Sequence, residues 1–383
     1  MSRLVSIGFV LFWVHLFAIT GGAQGLSAAC APAHKQLKAA EQAATLNDWQ
    51  ATVDHYKEAI QIAPACAEAA VNLGVIYNRL NQPDEAVHAF QYALTKNAKL
   101  YAVHLNLGIT YFRLKRYELA QQSLRNAIKL NPAQAQPRQL LSLSLIASEK
   151  FKEAASELEQ LVKLTPDNPD NIVALGEVYL RLKRFPEAVS AFEKASHLEP
   201  DVARVHTRLG EALDNAGEPE RAIAEFRRAT QLAPSLPEAH YALGHVLLKQ
   251  NRVDEAIAEF QRELQQNPNM LLARYEVGKI YFQRNKLDEA IAELSKVVEA
   301  DQTFRPAIET LAQARFKQGS IDEAISLLER AVSLDPTWPN AFALLGRAYT
   351  RAGRRDDAQK AFATAKRLSA EERKRLENAV SKP

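Results

Sequence analysis

The sequence predicts an all-α protein in which one helical hairpin is repeated along the chain, and two observations carry this prediction. The first is a column of small residues spaced 34 positions apart: Gly74, Gly108, Ser142, Gly176, Gly210, Gly244, Gly278, Ala312 and Gly346. The second is an unbroken column of alanine twelve residues after each of these: Ala86, Ala120, Ala154, Ala188, Ala222, Ala256, Ala290, Ala324 and Ala358. A strict period in this range is typical of proteins built from stacked structural repeats.

Each repeat is interpreted as two helices joined by a short turn. Leucine or valine precedes most of the small residues, and tyrosine often follows three positions later, as in Leu73-Gly74 and Tyr77, so these side chains share one helical face. A second apolar column, from Phe90 to Phe362, follows each alanine by four residues and predicts the second helix. Glycine inside a helix costs about 1 kcal/mol relative to alanine. Its repetition therefore predicts that the small residue lets the two helices approach closely.

The order of these residues resembles the tetratricopeptide repeat (TPR), in which leucine-glycine, tyrosine, alanine and phenylalanine recur at these spacings and proline closes the unit. The closing prolines are Pro64, Pro132, Pro166, Pro200, Pro234, Pro268 and Pro336. The resemblance implies a right-handed superhelical solenoid of about ten helix-turn-helix units. It also implies that the first helices line a concave groove that holds extended peptides. The departures are local: the early tryptophan of the family is absent, and Ala98 and Gln302 replace the closing proline.

The repeat fixes the predicted domain organisation. A leader segment at 26–32 precedes units at 33–66, 67–100, 101–134, 135–168, 169–202, 203–236, 237–270, 271–304, 305–338 and 339–372. The first unit is degenerate, with Ala40 at the small position and Thr52 at the alanine position. Ser369-Ala370-Glu371-Glu372 has the pattern of a capping box and predicts the start of a separate polar helix. Residues 373–383 are therefore expected to form a polar C-terminal cap.

Residues 1–25 are interpreted as an export signal. The run Leu4–Thr20 is uncharged and mostly apolar, and small residues follow it, with candidate cleavage points after Gly25 and after Ala29. An uncleaved membrane anchor stays open, because the apolar run approaches the ~20 residues of a spanning helix. A third interpretation is a lipoprotein that is acylated at Cys30. The predicted location is periplasmic or secreted, with membrane contact only through an uncleaved or lipidated N-terminus.

Cys30 and Cys66 are the only two cysteines of the chain. In an exported protein they could pair and tie the leader segment to the first repeat boundary. The alternative is two unlinked thiols.

Composition and motifs argue against several function classes. The formal net charge of +3 over 383 residues does not predict a nucleic-acid partner, which would require a concentrated basic face. The sequence contains no glycine-rich phosphate loop, HExxH, CxxC or GxSxG arrangement. His104, His206 and His240 share one repeat position and are expected to pack between first helices rather than to bind metal. We therefore predict a protein that is not an enzyme and that has no catalytic residue, metal or cofactor.

The candidate partner-binding residues follow from the resemblance, which places positions 2, 5, 9, 12 and 13 of each unit in the groove. The early units offer apolar side chains there, and the late units offer aromatic and basic ones, including Lys249, Phe316, Lys317 and Arg351. In some members of the family, asparagines on the first helices hold the backbone of a bound peptide. This resemblance adds Asn72 and Asn106 to the candidates. The candidates are Asn72, Leu105, Asn106, Ile109, Phe112, Tyr241, His245, Tyr275, Lys279, Phe282 and Arg347. The alternative for the early apolar residues is burial against the N-terminal segment.

The sequence thus predicts a non-enzymatic interaction scaffold that binds an extended segment of a partner protein in its groove. The alternative function is an envelope assembly factor, anchored by lipid or by a helix, that serves polysaccharide secretion, pilus formation or outer-membrane biogenesis. No feature of the sequence sets the oligomeric state.

Overall fold

The computed structural model describes residues 27–380, and this part of the chain is helical with no strand, so the predicted all-α repeat solenoid is confirmed. A 3-10 helix, η1, spans Ala28–Ala33 and precedes twenty α-helices. They are α1 (His34–Thr45), α2 (Trp49–Ile62), α3 (Ala67–Arg79), α4 (Pro83–Lys96), α5 (Tyr101–Arg113), α6 (Tyr117–Leu130), α7 (Ala135–Ala147), α8 (Phe151–Leu164), α9 (Pro169–Arg181), α10 (Phe185–Leu198), α11 (Ala203–Asn215), α12 (Pro219–Leu232), α13 (Ala239–Lys249), α14 (Val253–Gln266), α15 (Leu271–Gln283), α16 (Leu287–Ala300), α17 (Arg305–Gln318), α18 (Ile321–Leu334), α19 (Pro339–Arg351) and α20 (Arg355–Val380).

The described part of the chain divides into two compact units, one that ends at Pro200 and one that begins at Asp201. Each unit is a run of helical hairpins, because every odd-numbered helix packs against the even-numbered helix that follows it. Within each unit the second helix of one hairpin also packs against the first helix of the next, as α6 does with α7 and α16 with α17. Stability is therefore built from interfaces within hairpins and between neighbours, as in other stacked-repeat proteins.

The small-residue column lies where the second helix of the same hairpin inserts one large side chain. A Cβ atom on Gly74 would lie 2.5 Å from the ring of Phe90, and one on Gly108 would lie 2.5 Å from the side chain of Leu124. Both large side chains are fully buried. The close approach predicted from the glycines is therefore an approach of a side chain to a helix backbone, and the glycine makes the space that the ring or leucine fills.

Each hairpin turn contains one residue with a positive φ angle, always at the same position of the repeat. These residues are Asn47, Asn81, Lys115, Glu149, Lys183, Gly217, Asn251, Asn285, Gly319 and Gly353. The residue after each of them donates its backbone N–H to the carbonyl group five residues earlier, as Gln82 does to Tyr77 at 2.8 Å. This bond satisfies carbonyl groups that the end of the first helix leaves open. The left-handed residue thus reverses the chain and ends the helix.

The N-terminal end of the described chain is tied to the stack by a disulfide. Cys30 in η1 and Cys66 at the start of α3 are bonded, with an S–S distance of 1.95 Å, and both residues are fully buried. An oxygen of the Glu68 carboxylate lies 3.0 Å from the Cys30 sulfur. Between residues 27 and 380, no helix combines the length and the apolar character that crossing a membrane requires. The predicted export signal at 1–25 lies outside the described residues.

The C-terminal end differs from the prediction of a separate cap helix. Helix α20 runs without interruption over Arg355–Val380, so the capping-box pattern at Ser369 does not start a new helix. The reason is that no proline or glycine interrupts this stretch, while buried Leu368, 6 % exposed, continues the apolar face of the helix. A serine followed by alanine and glutamates is compatible with a helix interior when packing favours continuation.

Candidate functional site

The candidate residues of the late repeats lie on the first helices of the unit formed by residues 201–383. Within this unit α11 contacts α13, α15 contacts α17, and α17 contacts α19, so first helices of neighbouring hairpins lie side by side. Repeat positions 5, 9, 12 and 13 share one helical face because they are spaced by three or four residues. We call the aromatic and basic residues on this face the aromatic–basic wall. It comprises Tyr241, His245, Lys249, Tyr275, Lys279, Phe282, Phe316, Lys317, Arg347 and Arg351.

The wall begins at α13 with two half-buried rings. The ring centroids of Tyr241 and His245 are 6.2 Å apart, and Tyr241 also packs 5.7 Å from Phe260. Helix α13 starts two residues late because Glu238 adopts φ 69°. The buried carboxylate of Glu263 accepts from the backbone N–H of Glu238 at 3.2 Å and of Tyr241 at 3.3 Å. A negative charge at a helix start is favourable, so Glu263 fixes where the wall begins.

Two lysines of the wall are already paired with carboxylates. Lys249 Nζ lies 2.7 Å from Asp214 of the preceding hairpin. Lys279 Nζ lies 3.2 Å from Glu276 and 5.6 Å from the centre of the Tyr275 ring. Their charges are therefore compensated within the chain.

The remaining three cations of the wall lie over aromatic rings of the preceding hairpin. Lys317 Nζ is 4.4 Å from the centre of the Phe282 ring. The guanidinium carbons of Arg347 and Arg351 are 5.3 Å and 5.0 Å from the centre of the Phe316 ring. These distances lie within the range of cation–π attraction, which is worth about 0.5–1 kcal/mol at exposed sites.

One carboxyl group, that of Glu309 at position 5 of α17, lies on the same helical face as the wall. Burial raises the pKa of Glu309, against the opposing effects of a hydrogen bond from Gln313 and of the nearby Arg305 charge. Gln313 Nε2 donates to this carboxylate at 3.1 Å. The raised pKa means that the protein environment disfavours the negative form of Glu309.

The basic residues at position 13 also connect neighbouring hairpins. Arg351 donates to the backbone carbonyl of Phe316 at 3.3 Å, and Arg113 donates to that of Asn78 at 3.4 Å in the unit formed by residues 1–200. Both pairs are 35 residues apart, as Lys317 and Phe282 are. Sequence reasoning found these columns separately but missed their pairing, which a search for aromatic and basic residues 35 positions apart could have found.

Three of the early candidate residues are buried inside the protein. Leu105 is 0 % exposed, Asn106 0 % and Ile109 3 %, so the chain itself covers the side chains that we expected to face a partner. This corrects the assignment of an apolar early groove. The physical reason is that removal of apolar groups from water is favourable whichever molecule covers them, and an apolar pattern does not say whether the cover is a partner.

The other two early candidates contact neighbouring aromatic residues. The side chain of Asn72 is hydrogen-bonded to Tyr56, whose pKa is raised to about 12 mainly by burial, with a further contribution from the Glu41 charge. The ring of Phe112 is half-buried and lies 5.7 Å from that of Tyr117. Both residues therefore take part in packing within residues 27–200.

The sequence predicts that His206 and His240 pack between first helices, whereas in the structure each contacts the second helix of its own hairpin. Each is buried, and Nδ1 of His240 donates to Glu259 at 2.7 Å, as that of His206 does to Glu225 at 2.6 Å. Within the described part of the chain, one cluster has metal-ligand residue types, namely Cys30, Cys66 and Glu68. Its two sulfurs are bonded to each other, so they are not thiolate ligands in this form.

Comparison with protein-family models finds three matches. The model of the C-terminal domain of cilia and flagella-associated protein 70, a TPR domain, matches residues 14–242. Two tetratricopeptide repeat models match residues 241–303 and 315–382. No curated protein matches the chain.

Solved structures with similar hairpins include MamA, YrrB and Naa15. The crystal structure of MamA is 23 % identical, with a TM-score of 0.42 over 43 % of this chain and 97 % of that one. The structure of YrrB, described as a TPR protein with an unusual peptide-binding site, is 23 % identical, with a TM-score of 0.42 over 50 % of this chain and 98 % of that one. The structure of Naa15/Naa10 bound to HypK-THB is 14 % identical, with a TM-score of 0.48 over 88 % of this chain and 63 % of that one.

Stacked hairpins with a varied surface on their first helices define a helical-repeat protein of the interaction-scaffold class. The chain belongs to the tetratricopeptide repeat family, since the first of the three matched models alone covers more than half of it. TPR proteins are generally non-catalytic scaffolds, which supports protein partners for this chain.

Proposed function

We propose that this protein is a non-enzymatic scaffold that binds an extended segment of a partner protein along the aromatic–basic wall. The observation that carries the proposal is the contrast between the two groups of candidates. Leu105 and Ile109 are buried, whereas Tyr241, Tyr275 and Phe282 are partly buried and Arg347 is exposed. Aromatic residues and arginines are among the residue types that contribute most to protein interfaces.

The wall also suits an extended rather than a globular partner. Its residues come from one helix of each successive hairpin, so they form a line across the stack rather than a closed pocket. An extended peptide advances about 3.3 Å per residue and can place side chains on successive helices. The proposal contains no catalytic step.

A photo-crosslinking amino acid placed at Tyr275 tests the wall directly. The matched control places the same amino acid at Gln265, an exposed residue on the second helix α14. We expect Tyr275 to form a crosslink to one defined partner peptide selected from a display library, and Gln265 to form none. Equal crosslinking at both positions, or crosslinking at Gln265 alone, would show that the wall is not the binding surface.

We further propose that the protein is exported and free rather than anchored. The Cys30–Cys66 disulfide supports this location, because disulfides persist in oxidising compartments. It also argues against acylation at Cys30, since a sulfur in a disulfide cannot carry a thioether to lipid. The intact mass of the mature protein tests the proposal. A chain that begins at Leu26 or Cys30 supports it, whereas a retained N-terminus or an added lipid supports the anchored assembly factor.

A further inference from the structure

We infer that the part of the wall formed by α15, α17 and α19 recognises an acidic segment of the partner, through carboxylates that pair with Lys317, Arg347 and Arg351. This inference rests on the proposed function and names the chemistry of its ligand. The partner segment is extended and carries Asp or Glu residues at intervals that match the spacing of neighbouring first helices.

This part of the wall carries positive charge that no side chain in the described part of the protein compensates. Among residues 27–380, no carboxylate lies within ion-pair distance of Lys317, Arg347 or Arg351. Some other exposed cations in the same unit are paired: Arg284 lies 2.6 Å from Asp254, and Arg354 lies 2.8 Å from Asp357. Three neighbouring cations therefore keep their charges available, which is the complement of an acidic ligand.

Aromatic rings hold these three cations in a defined orientation. Each lies against a ring, Lys317 on Phe282 and the two arginines on Phe316, and Phe316 is only 9 % exposed. A guanidinium group that stacks on a ring keeps its in-plane N–H groups free to donate. Arg351 uses one such group on the Phe316 carbonyl, and we find no protein acceptor for Arg347 among the described residues. The rings thus hold the charges in place before a ligand arrives, which lowers the entropy cost of binding.

The spacing of neighbouring first helices matches the spacing of side chains on an extended peptide. Packed helices lie about 8–10 Å apart, and three residues of an extended chain span about 10 Å. Lys317 lies on α17 and Arg347 on α19, which contacts α17. Two acidic residues about three positions apart can therefore reach cations on neighbouring hairpins.

A peptide fits this patch better than a nucleic acid. Nucleic-acid binding requires cations along a continuous run of phosphates. Here the neighbouring cations Lys249 and Lys279 are neutralised by Asp214 and Glu276. Uncompensated positive charge within the wall is therefore confined to Lys317, Arg347 and Arg351, which suits a short acidic segment rather than a continuous phosphate backbone.

The test measures binding of two synthetic peptides to the full chain by fluorescence anisotropy. Both are short and extended, with one aromatic residue, and they differ only in having two glutamates or two glutamines three positions apart. We expect the glutamate peptide to bind about tenfold more tightly, because hydrogen bonds between charged groups are stronger than those to a neutral amide. The preference should decrease as salt concentration rises.

The variants are Lys317→Gln and Arg347→Gln, alone and together, with Lys129→Gln as the control. Lys129 is an exposed cation on α6, outside the wall. We expect each wall variant to reduce the preference for glutamate, the double variant to abolish it, and the control to leave it unchanged. Helical circular dichroism and unfolding midpoints show whether the variants keep their fold.

Several outcomes would overturn the inference. The two peptides could bind equally well, the Lys129→Gln control could weaken binding as much as the wall variants, or a single-stranded oligonucleotide could outcompete the glutamate peptide. If the peptides selected from the display library crosslink at Tyr275 but contain no excess of acidic residues, this inference is wrong and the proposed function stands. Failure of the Tyr275 crosslink would end both.

Discussion

The ring of Phe260 fills the space that a β-carbon on Gly244 would need, with its nearest atom 2.8 Å from that position. The two residues belong to the two helices of one hairpin, α13 and α14. The same relationship joins Gly74 to Phe90 and Gly176 to Phe192. The repeat therefore selects glycine on one helix because it selects a large side chain on the other.

Replacement of Gly244 by alanine is expected to destabilise the protein by about 1 to 2 kcal/mol. Overpacking a core costs about 1–3 kcal/mol, and the better helix propensity of alanine returns up to about 1 kcal/mol. The measurement is the midpoint of chemical unfolding. The matched control makes the same change in a Phe260→Leu background, because the chain already contains an alanine opposite a leucine at Ala312 and Leu328. An equal loss from Gly244→Ala in both backgrounds would contradict the role of the phenylalanine ring.

Replacement of Lys183 by glycine is expected to stabilise the protein by up to about 1 kcal/mol. Lys183 has φ 58°, a left-handed conformation that costs a residue with a β-carbon about 1–2 kcal/mol. Gly353, at the same repeat position with φ 75°, provides the reverse test, because Gly353→Ala should destabilise. Thermal unfolding of both variants measures the two effects. Stabilisation by Gly353→Ala would show that the turn conformation does not limit stability.

Removal of the disulfide by Cys30→Ser with Cys66→Ser is expected to lower the stability of the N-terminal hairpin. The bond joins residues 36 apart, and the entropy model of loop closure gives about 3 to 4 kcal/mol for a loop of this size. Hydrogen exchange of α1 and α2 should accelerate, while that of α15 to α18 should not change. Uniform acceleration across the chain would contradict a local role.

Alkaline pH is expected to destabilise the hairpins that contain Tyr179 and Tyr349. The pKa of each phenol is raised to about 12, first by burial and then by its hydrogen bond to Glu159 or Glu329. Because the folded state favours the neutral phenol, this stabilisation is complete below the ordinary pKa near 10 and is lost as pH rises towards 12. Unfolding midpoints measured as a function of pH test the sign. Tyr349→Phe should reduce the loss above pH 10 relative to the parent protein, and an unchanged pH dependence would contradict the assignment.

Periodicity predicted the repeat because the same few contacts recur in every hairpin. The small residues, the alanines and the apolar column that includes Phe90 each pack against the same repeat position in every hairpin. The residue type in these columns is therefore nearly constant. The end of the solenoid was less predictable. Ser369 suits both a helix start and a helix interior, and only packing decides between them.

The candidate site was predicted in part. Tyr275, Lys279 and Phe282 lie on the first helix α15 and Arg347 on the first helix α19, as their repeat positions predicted. The charge balance of the wall could not be read from the sequence. Lys279 and Lys317 are the same residue type on the same surface, yet Glu276 pairs with the first, and an aromatic ring lies below the second.

The sequence by itself determined the helical hairpin, its period and its stacking, because these depend on contacts that are local within 34 residues and repeated along the chain. The tertiary structure decided which surface side chains are accessible and which charges are compensated. Leu105 and Arg347 both occupy candidate groove positions, but the first is buried and the second is exposed. Accessibility and ion pairing depend on what neighbouring hairpins place beside a residue, and a repeat position alone does not contain that information.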